Sequence, residues 1–308
     1  MASISSDGFT LVNRQKKSRW RKCSNQSSSL NYLPIDMDNE TIPNDYQQFT
    51  GKLKSKLENC IHFLNKSRFT DQVAQCLSRN KQKFNLPDRE TDTINCLAAN
   101  LANCSLNQFS EIVSYGIGHF SSSKDSLYQL ALLLILKTDC ILTCDLWLIY
   151  DPVFTEYEKK FLIENGFNLI DVNEKGAKSV TTRTLFFMPH CPLPMYNNLL
   201  WANWLPNNLN QIVLLGTSFN SLVNSFISND QQAEYSYLIG ITESKLIDEF
   251  KLDPPRDIYE AFNDLSVHFF TQINDDDEHT NLLSIANCDP KKKPIYSDDV
   301  FSKEMIVN

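Results

Sequence analysis

The amino-acid sequence predicts an α/β protein with a Rossmann-like, mostly parallel sheet flanked by helices and preceded by an N-terminal helical layer. From residue 111 onward, short apolar runs alternate with amphipathic stretches of helical length, which is the pattern of βαβ units. Before that point the apolar residues show helical spacing. Glycine, proline, aspartate or asparagine follows most of the apolar runs, as is typical of the turns that end strands.

Composition sets the limits of the folded part. The chain has 308 residues, of which 42% are hydrophobic and 21% charged, as in soluble globular proteins. Residues 1–44 are rich in serine, asparagine and basic side chains, and this composition predicts a disordered tail. We expect a helical segment over 45–109, the α/β domain over 110–272, and a flexible C-terminal tail over 273–308.

An apolar stripe predicts the first helix of the N-terminal layer. Phe49, Leu53, Leu57, Cys60 and Leu64 follow one another at steps of three or four residues, which places them on one helical face. Two further helices are expected over 70–78 and 92–103.

Five strands are predicted in the α/β part, over 111–115, 144–150, 167–172, 184–188 and 211–215. One helix is expected to run from capping serines at 121–123 to about residue 137. Others are expected over 155–165, ending before Gly166, and over 196–204. Strand and helix signals return after Tyr235 and end in the segment 261–270.

Charge and cysteine content restrict the classes of partner and compartment. Residues 1–22 carry a net charge of +5, whereas the rest of the chain carries −13, so nucleic acid is an unlikely ligand of the folded body. The cysteine count, nine, is odd, and the first 25 residues lack an apolar stretch. These features predict reduced thiols and a protein of the cytoplasm, with the nucleus as a further compartment. Cys140 and Cys144 have no second pair to complete a metal site. The longest apolar run, 130–136, is too short to cross a membrane.

Candidate binding residues follow the predicted strands. In open parallel sheets, ligands bind outside the carboxyl ends of the strands, near the point where the strand order reverses. Three of the chain's eight glycines lie just after such strands. The residues predicted to line a ligand cleft there are Gly116, Gly118, Ser121, Asp151, His190, Ser218 and Asn220.

Two features among these residues, the glycine turn after the first strand and the acid after the second, suggest that the ligand is a nucleotide. Gly116-x-Gly118 matches half of a dinucleotide fingerprint, with Ser121 at the third glycine position, and serines at a helix start can receive an anion. Asp151 ends the second strand, where Rossmann-like proteins place an acid for a ribose hydroxyl. The alternatives are a tight, normally capped turn for the glycines and a cap on the following helix for Asp151.

The segment His190-Cys191-Pro192 offers different chemistry. His190 could act as a general acid or base, and Cys191 could present a thiolate to haem iron. The alternative is a rigid turn, because three prolines lie within six residues here and fix the backbone. No serine lies in a G-x-S-x-G elbow, and the sequence assigns no catalytic residue.

Six longer motifs stand out along the chain: GIGHFSSS at 116–123, YQLALL at 128–133, YDPVF at 150–154, FMPHCP at 187–192, YNNLLWANW at 196–204 and AFNDLS at 261–266. Together they resemble the family of the plant "sensitivity to red light reduced" protein. A short tail stretch, Asp7-Gly8-Phe9-Thr10-Leu11-Val12, is similar to the animal members. Two positions differ from the family pattern, because His119 and Thr217 stand where asparagine is usual.

The resemblance implies a regulatory protein of circadian clock input and clock-gene expression, linked in animals to the regulation of haem biosynthesis. It implies no catalytic activity, and it leaves the cofactor (haem or a nucleotide) and the protein partners open. Small-ligand binding at the strand ends is the leading hypothesis for the mechanism. The alternatives are a nucleotide- or S-adenosylmethionine-dependent transferase and a non-catalytic interaction scaffold.

Overall fold

The computed structural model describes residues 44–78, 109–139, 141–225, 233–244 and 246–270, together with 282, 285, 288, 289 and 291–296. The predicted tail over residues 1–43 and the predicted helix over 92–103 lie outside these residues.

Helices and strands alternate along the described chain. The helices are α1 (Asn44–Lys66), α2 (Phe69–Ser78), α3 (Lys124–Thr138), α4 (Glu156–Glu164), α5 (Leu193–Ala202), α6 (Pro206–Leu209), α7 (Phe219–Asn224), α8 (Ser236–Glu243) and α9 (Tyr259–Phe262). The strands are β1 (Glu111–Tyr115), β2 (Trp147–Tyr150), β3 (Asn168–Leu169), β4 (Thr184–Met188), β5 (Ile212–Thr217), β6 (Ile247–Lys251) and β7 (Leu265–Phe270).

The strands form one sheet in the order β3-β2-β1-β4-β5-β7-β6. Strands β1 to β5 are parallel, and β7 runs antiparallel to both β5 and β6. Val113 lies opposite Leu148 on one side and Phe186 on the other, so the carboxyl ends of these strands share one edge. The order reverses between β1 and β4, which is the switch point of a doubly wound sheet. The predicted α/β class, with its mostly parallel sheet, flanking helices and N-terminal helical segment, is confirmed.

Two apolar layers cover the sheet. Successive strand residues point to opposite faces, so Ile112 joins the layer of α1, α2 and α3, whereas Val113 joins the layer of α5 and α8. The predicted stripe of α1 faces the first layer, with Leu53 and Leu64 buried.

Several element limits differ from the sequence predictions for local reasons. The third strand has only two residues, and β2 begins at Trp147. Helix α5 begins at Leu193, three residues before its predicted start, because Pro194 lies in the first turn, where a helix does not need the missing N–H.

Part of the C-terminal segment also packs against the sheet layers. Leu282 and Cys288 are buried, and the Leu282 carbonyl accepts a hydrogen bond from the Trp204 indole at 3.3 Å. Tyr296 stacks on Tyr235 with ring centroids 5.7 Å apart. These residues therefore differ from the solvated tail expected over 273–308.

Candidate functional site

The loops that follow β1, β2 and β4 meet at the carboxyl edge of the sheet. The Gly118 amide donates to Asp151 Oδ2 at 2.8 Å, and the Cys191 thiol donates to the Tyr115 carbonyl at 3.4 Å. A Cβ atom added to Gly116 would lie 2.6 Å from Cys191 Sγ. Only glycine permits this close approach, through which the loops after β1 and β4 touch at the switch point.

Four residues of this edge have positive φ, a conformation that glycine adopts freely and that strains residues with a side chain. Gly116 and Gly118 both have φ of +76°, and His190 and Asp264 have φ of +52°. Positive φ is uncommon for residues with a side chain, and it persists where surrounding contacts hold it. The Asp264 carbonyl accepts the Ser218 amide at 2.7 Å, which ties this strained turn to the end of β5.

Asp151 is a buried hub of the β1 and β2 loops. Besides the Gly118 contact, Oδ1 accepts the Val153 amide at 3.0 Å. Burial raises the pKa of this carboxyl, although the two amide donors oppose the shift. Both oxygens therefore serve the protein itself. Asp151 does not cap the following helix, whose N-cap is Thr155, and its place as an acid for a ribose hydroxyl stays a prediction.

A second carboxylate, Glu158, occupies the same loop and was missed by the sequence-based predictions. It is fully buried, and its Oε1 accepts the Ser121 amide at 2.9 Å. Its Oε2 accepts the amide of Thr155 and lies 3.3 Å from His119 Nδ1. Burial alone would raise the pKa of Glu158, but these donors outweigh it and lower the pKa. The capping-box spacing from Thr155 to Glu158 was the available signal.

His190 is held in one orientation beside α9. Its Nε2 lies 3.2 Å from the Ala261 carbonyl, which requires Nε2 to carry the proton and leaves Nδ1 as an acceptor. Gln129 donates to the same carbonyl at 3.1 Å. Burial lowers the pKa of His190, against opposing contributions from Asp125, Asp264 and Glu260. A neutral imidazole with one acceptor nitrogen is therefore the form at this edge.

Cys191 lies inside the protein. It is 5% exposed, and burial raises its thiol pKa well above the ordinary value. A thiol in this state is a poor metal ligand, because ligation requires the thiolate. The geometry favours a packing role against Gly116, and haem ligation by Cys191 stays a prediction.

Ser218 and Asn220 lie at the end of β5 and contact β6 rather than an open cleft. The Ser218 hydroxyl donates to Glu249 Oε1 and caps α7 by accepting the Ser221 amide. The Asn220 amide and side-chain Nδ2 both donate to Glu249 Oε2, at 3.2 and 2.9 Å. His268, fully buried on β7, places Nε2 3.6 Å from the same carboxylate. Sequence reasoning missed Glu249, because no local motif marks a partner 31 residues away.

Among the residues that the structure describes, the polar side chains of this edge are hydrogen-bonded mainly to other groups of the protein. Within those ranges, no three His, Cys, Asp or Glu side chains are grouped so as to hold a metal ion. In the same part of the chain, every helix is too short or too polar for a transmembrane span.

The chain matches the SRR1 domain over residues 53–269. It is 34% identical to the SRR1-like protein of Mus musculus over 132 residues, 42% of this chain and 53% of the relative. It is 33% identical to Protein SENSITIVITY TO RED LIGHT REDUCED 1 of Arabidopsis thaliana over 162 residues, 52% of this chain and 58% of the relative. It is 29% identical to the SRR1-like protein of Drosophila melanogaster over 164 residues, 52% of this chain and 55% of the relative.

These matches therefore span somewhat more than half the length of each of these curated relatives. No solved structure matches the chain. The domain match covers strands β1 to β6 and most of β7, with the loops that follow β1, β2 and β4. The resemblance seen in the sequence motifs is confirmed, and the chain belongs to the SRR1 domain family.

Proposed function

We propose that this chain is a regulatory protein whose SRR1 domain responds to a small ligand at the carboxyl edge of the sheet. A relative named for reduced sensitivity to red light supports a role in light or circadian input. By the same resemblance, the regulation of haem biosynthesis is a further expected role.

One observation carries the ligand proposal: the family motifs meet at the switch point. Gln129 and His190, from two motifs, share the carbonyl of Ala261, from a third. Asp151, from a fourth, accepts the amide of Gly118 in the first. Motifs far apart in sequence thus fix a strained edge where open α/β sheets bind ligands, rather than the centre of an apolar layer.

A thermal-shift experiment on the full chain tests this function. Adenine nucleotides, S-adenosylmethionine and haem serve as the probes. We expect one class to raise the melting temperature saturably, because a ligand that binds the folded state alone stabilises it by mass action. The rise should shrink in His190→Gln and persist in His62→Gln, a matched change at an exposed histidine of α1. No shift with any probe would favour the interaction scaffold instead.

The strand order favours a second candidate, an S-adenosylmethionine-dependent transferase. A reversed strand between β5 and β6 is, by fold-level analogy, the arrangement typical of S-adenosylmethionine-dependent methyltransferases. Asp151 ends β2 beside the glycine loop of β1, where an acid can accept a ribose hydroxyl. Methyl transfer from labelled S-adenosylmethionine to protein or small-molecule fractions of an extract would separate this function from ligand sensing.

The basic segment of the N-terminal part supports a nuclear as well as a cytoplasmic location. Six basic residues and no acid lie between Arg14 and Lys22, a composition typical of nuclear import signals. Reversing these charges should shift the protein toward the cytoplasm in fractionated cells. An unchanged distribution would leave a solvated basic segment as the interpretation.

A further inference from the structure

We infer that the loop after β1 rejects phosphate, and that the buried carboxylates of Asp151 and Glu158 determine this specificity. The inference rests on the proposed ligand site and narrows the class of ligand it accepts. It contradicts the interpretation of Gly116-x-Gly118 and Ser121 as a phosphate-binding turn.

Four amides of the loop that could hold a phosphate already have acceptors in the protein. Gly118 donates to Asp151 and Ser121 donates to Glu158, at 2.8 and 2.9 Å. The amides of Ser122 and Ser123 donate to the His119 carbonyl at 3.2 and 2.8 Å. In phosphate-binding loops such amides point at the ligand, whereas here a protein oxygen takes each of these positions.

The two acceptors for Gly118 and Ser121 belong to one neighbouring unit. Asp151 ends β2, and Glu158 lies in the first turn of α4, which follows directly. Glu158 is fully buried, and the side chain of Asp151 is nearly so. A phosphate entering the loop would have to displace a buried carboxylate or lie against its negative charge, and like charges repel strongly at this depth.

The ligand of this edge is therefore a small molecule that carries no phosphate where it contacts the β1 loop. The groups facing His190 have the same sign, since Asp125, Glu260 and Asp264 lie near it. The nearby Lys251 is paired with Asp264 at 2.8 Å. A ligand of this edge should thus lose at least about tenfold in affinity when a phosphate group is added where it contacts the β1 loop, a ratio that corresponds to one modest like-charge contact.

The test follows the loop amides directly. In the ¹⁵N-labelled full chain, pyrophosphate is titrated at constant ionic strength while the amide signals of Gly118 and Ser121 are recorded. We expect no saturable change in the wild type. The double variant Asp151→Asn/Glu158→Gln keeps an acceptor oxygen at both positions for folding, but it removes both charges and weakens both hydrogen bonds to the loop amides. Pyrophosphate should therefore shift the Gly118 and Ser121 signals of this variant saturably, with an apparent affinity at least about tenfold above the detection limit set by the wild type. Glu156→Gln, an exposed position on the same helix, is the matched control and should behave as the wild type.

Two results would overturn the inference. One is a saturable shift of either amide by pyrophosphate in the wild type, a measurement that stands even where the double variant fails to fold. The other is a folded double variant with no gain in pyrophosphate affinity. Failure of the proposed function would give a different result, because no organic probe would then shift the melting temperature. The signals of the loop amides would still show whether the loop rejects or accepts phosphate.

Discussion

Replacing Glu249 by glutamine should destabilise the domain in a pH-dependent way. The Glu249 carboxylate accepts hydrogen bonds from Ser218, Asn220 and Ser266 and lies beside His268. Burial alone would raise the pKa of this carboxyl, but the contact with His268 and the donors from β5 and α7 lower it from 4.5 to about 2. The folded protein therefore favours the ionised form of Glu249 more strongly than the unfolded chain does.

The sign and size of the effect follow from that pKa. A depressed folded-state pKa contributes stability that is fully present above about pH 5 and is lost as the pH falls toward 2. The whole shift corresponds to about 3 kcal/mol, and partial solvent screening reduces this to about 2 kcal/mol. Glutamine cannot ionise, so Glu249→Gln should lower the free energy of unfolding by about 2 kcal/mol at pH 7, and by less than half of that at pH 3.

Urea denaturation of both proteins at pH 7 and pH 3 measures this difference. In a separate thermal melt at pH 7, the melting temperature of Glu249→Gln should be roughly 4–8 °C below that of the wild type, given the size of the domain. The control Glu156→Gln removes an exposed carboxylate that pairs with Lys159, and it should change the free energy of unfolding by less than about 0.5 kcal/mol. An equal loss at both pH values would refute the charge argument, because a neutral packing defect does not titrate.

Three further predictions concern the core, the C-terminal segment and haem. Leu148→Ala should cost about 2–5 kcal/mol in urea unfolding, because this β2 side chain is buried at 1% exposure; a loss under 1 kcal/mol would contradict its place in the core. Tyr296→Phe keeps the ring stacked on Tyr235 but removes the hydrogen bonds of the hydroxyl to α5, so the melting temperature should fall by about 2–4 °C. An unchanged melting temperature would mean that the C-terminal segment does not stabilise the domain through these bonds. Haem added to Cys191→Ser should give the wild-type Soret band, because the thiol is buried, whereas a moved band would establish Cys191 as a ligand.

The fold was predictable where one local pattern decides the structure. The apolar stripe of α1 and the runs of β1 and β4 appear where periodicity places them. The residues of β3 were only partly predictable, since the apolar run over 167–172 pairs with β2 at just two positions. Periodicity reports which residues are apolar, but the length of a strand depends on the neighbour it pairs with.

The candidate site was predictable in position but not in its contacts. The rule that ligands bind at strand ends predicted that Gly118, Asp151 and His190 lie at one edge of the sheet, and Gly118 and Asp151 are hydrogen-bonded there. It could not show that the amides of the loop are already engaged, because Glu158 lies 37 residues from Ser121. Hydrogen-bond partners at such separations are set by the tertiary packing, which a single sequence does not encode in any local spacing.

The same long-range contacts explain why a sequence with so few glycines keeps two of them in one turn. At Gly118, an added Cβ would meet Ser126 Oγ at 2.9 Å, and the φ of +76° would be strained for any other residue. The turn can hold this conformation because Asp151 fixes its amide from one side and the packing of α3 fixes it from the other. The two glycines adopt this conformation without strain, whereas His190 and Asp264, each at φ of +52°, do not. Positive φ at residues with side chains beside this turn favours a binding role for the edge, and it makes loss of ligand response with retained folding the expected phenotype of conservative changes at His190.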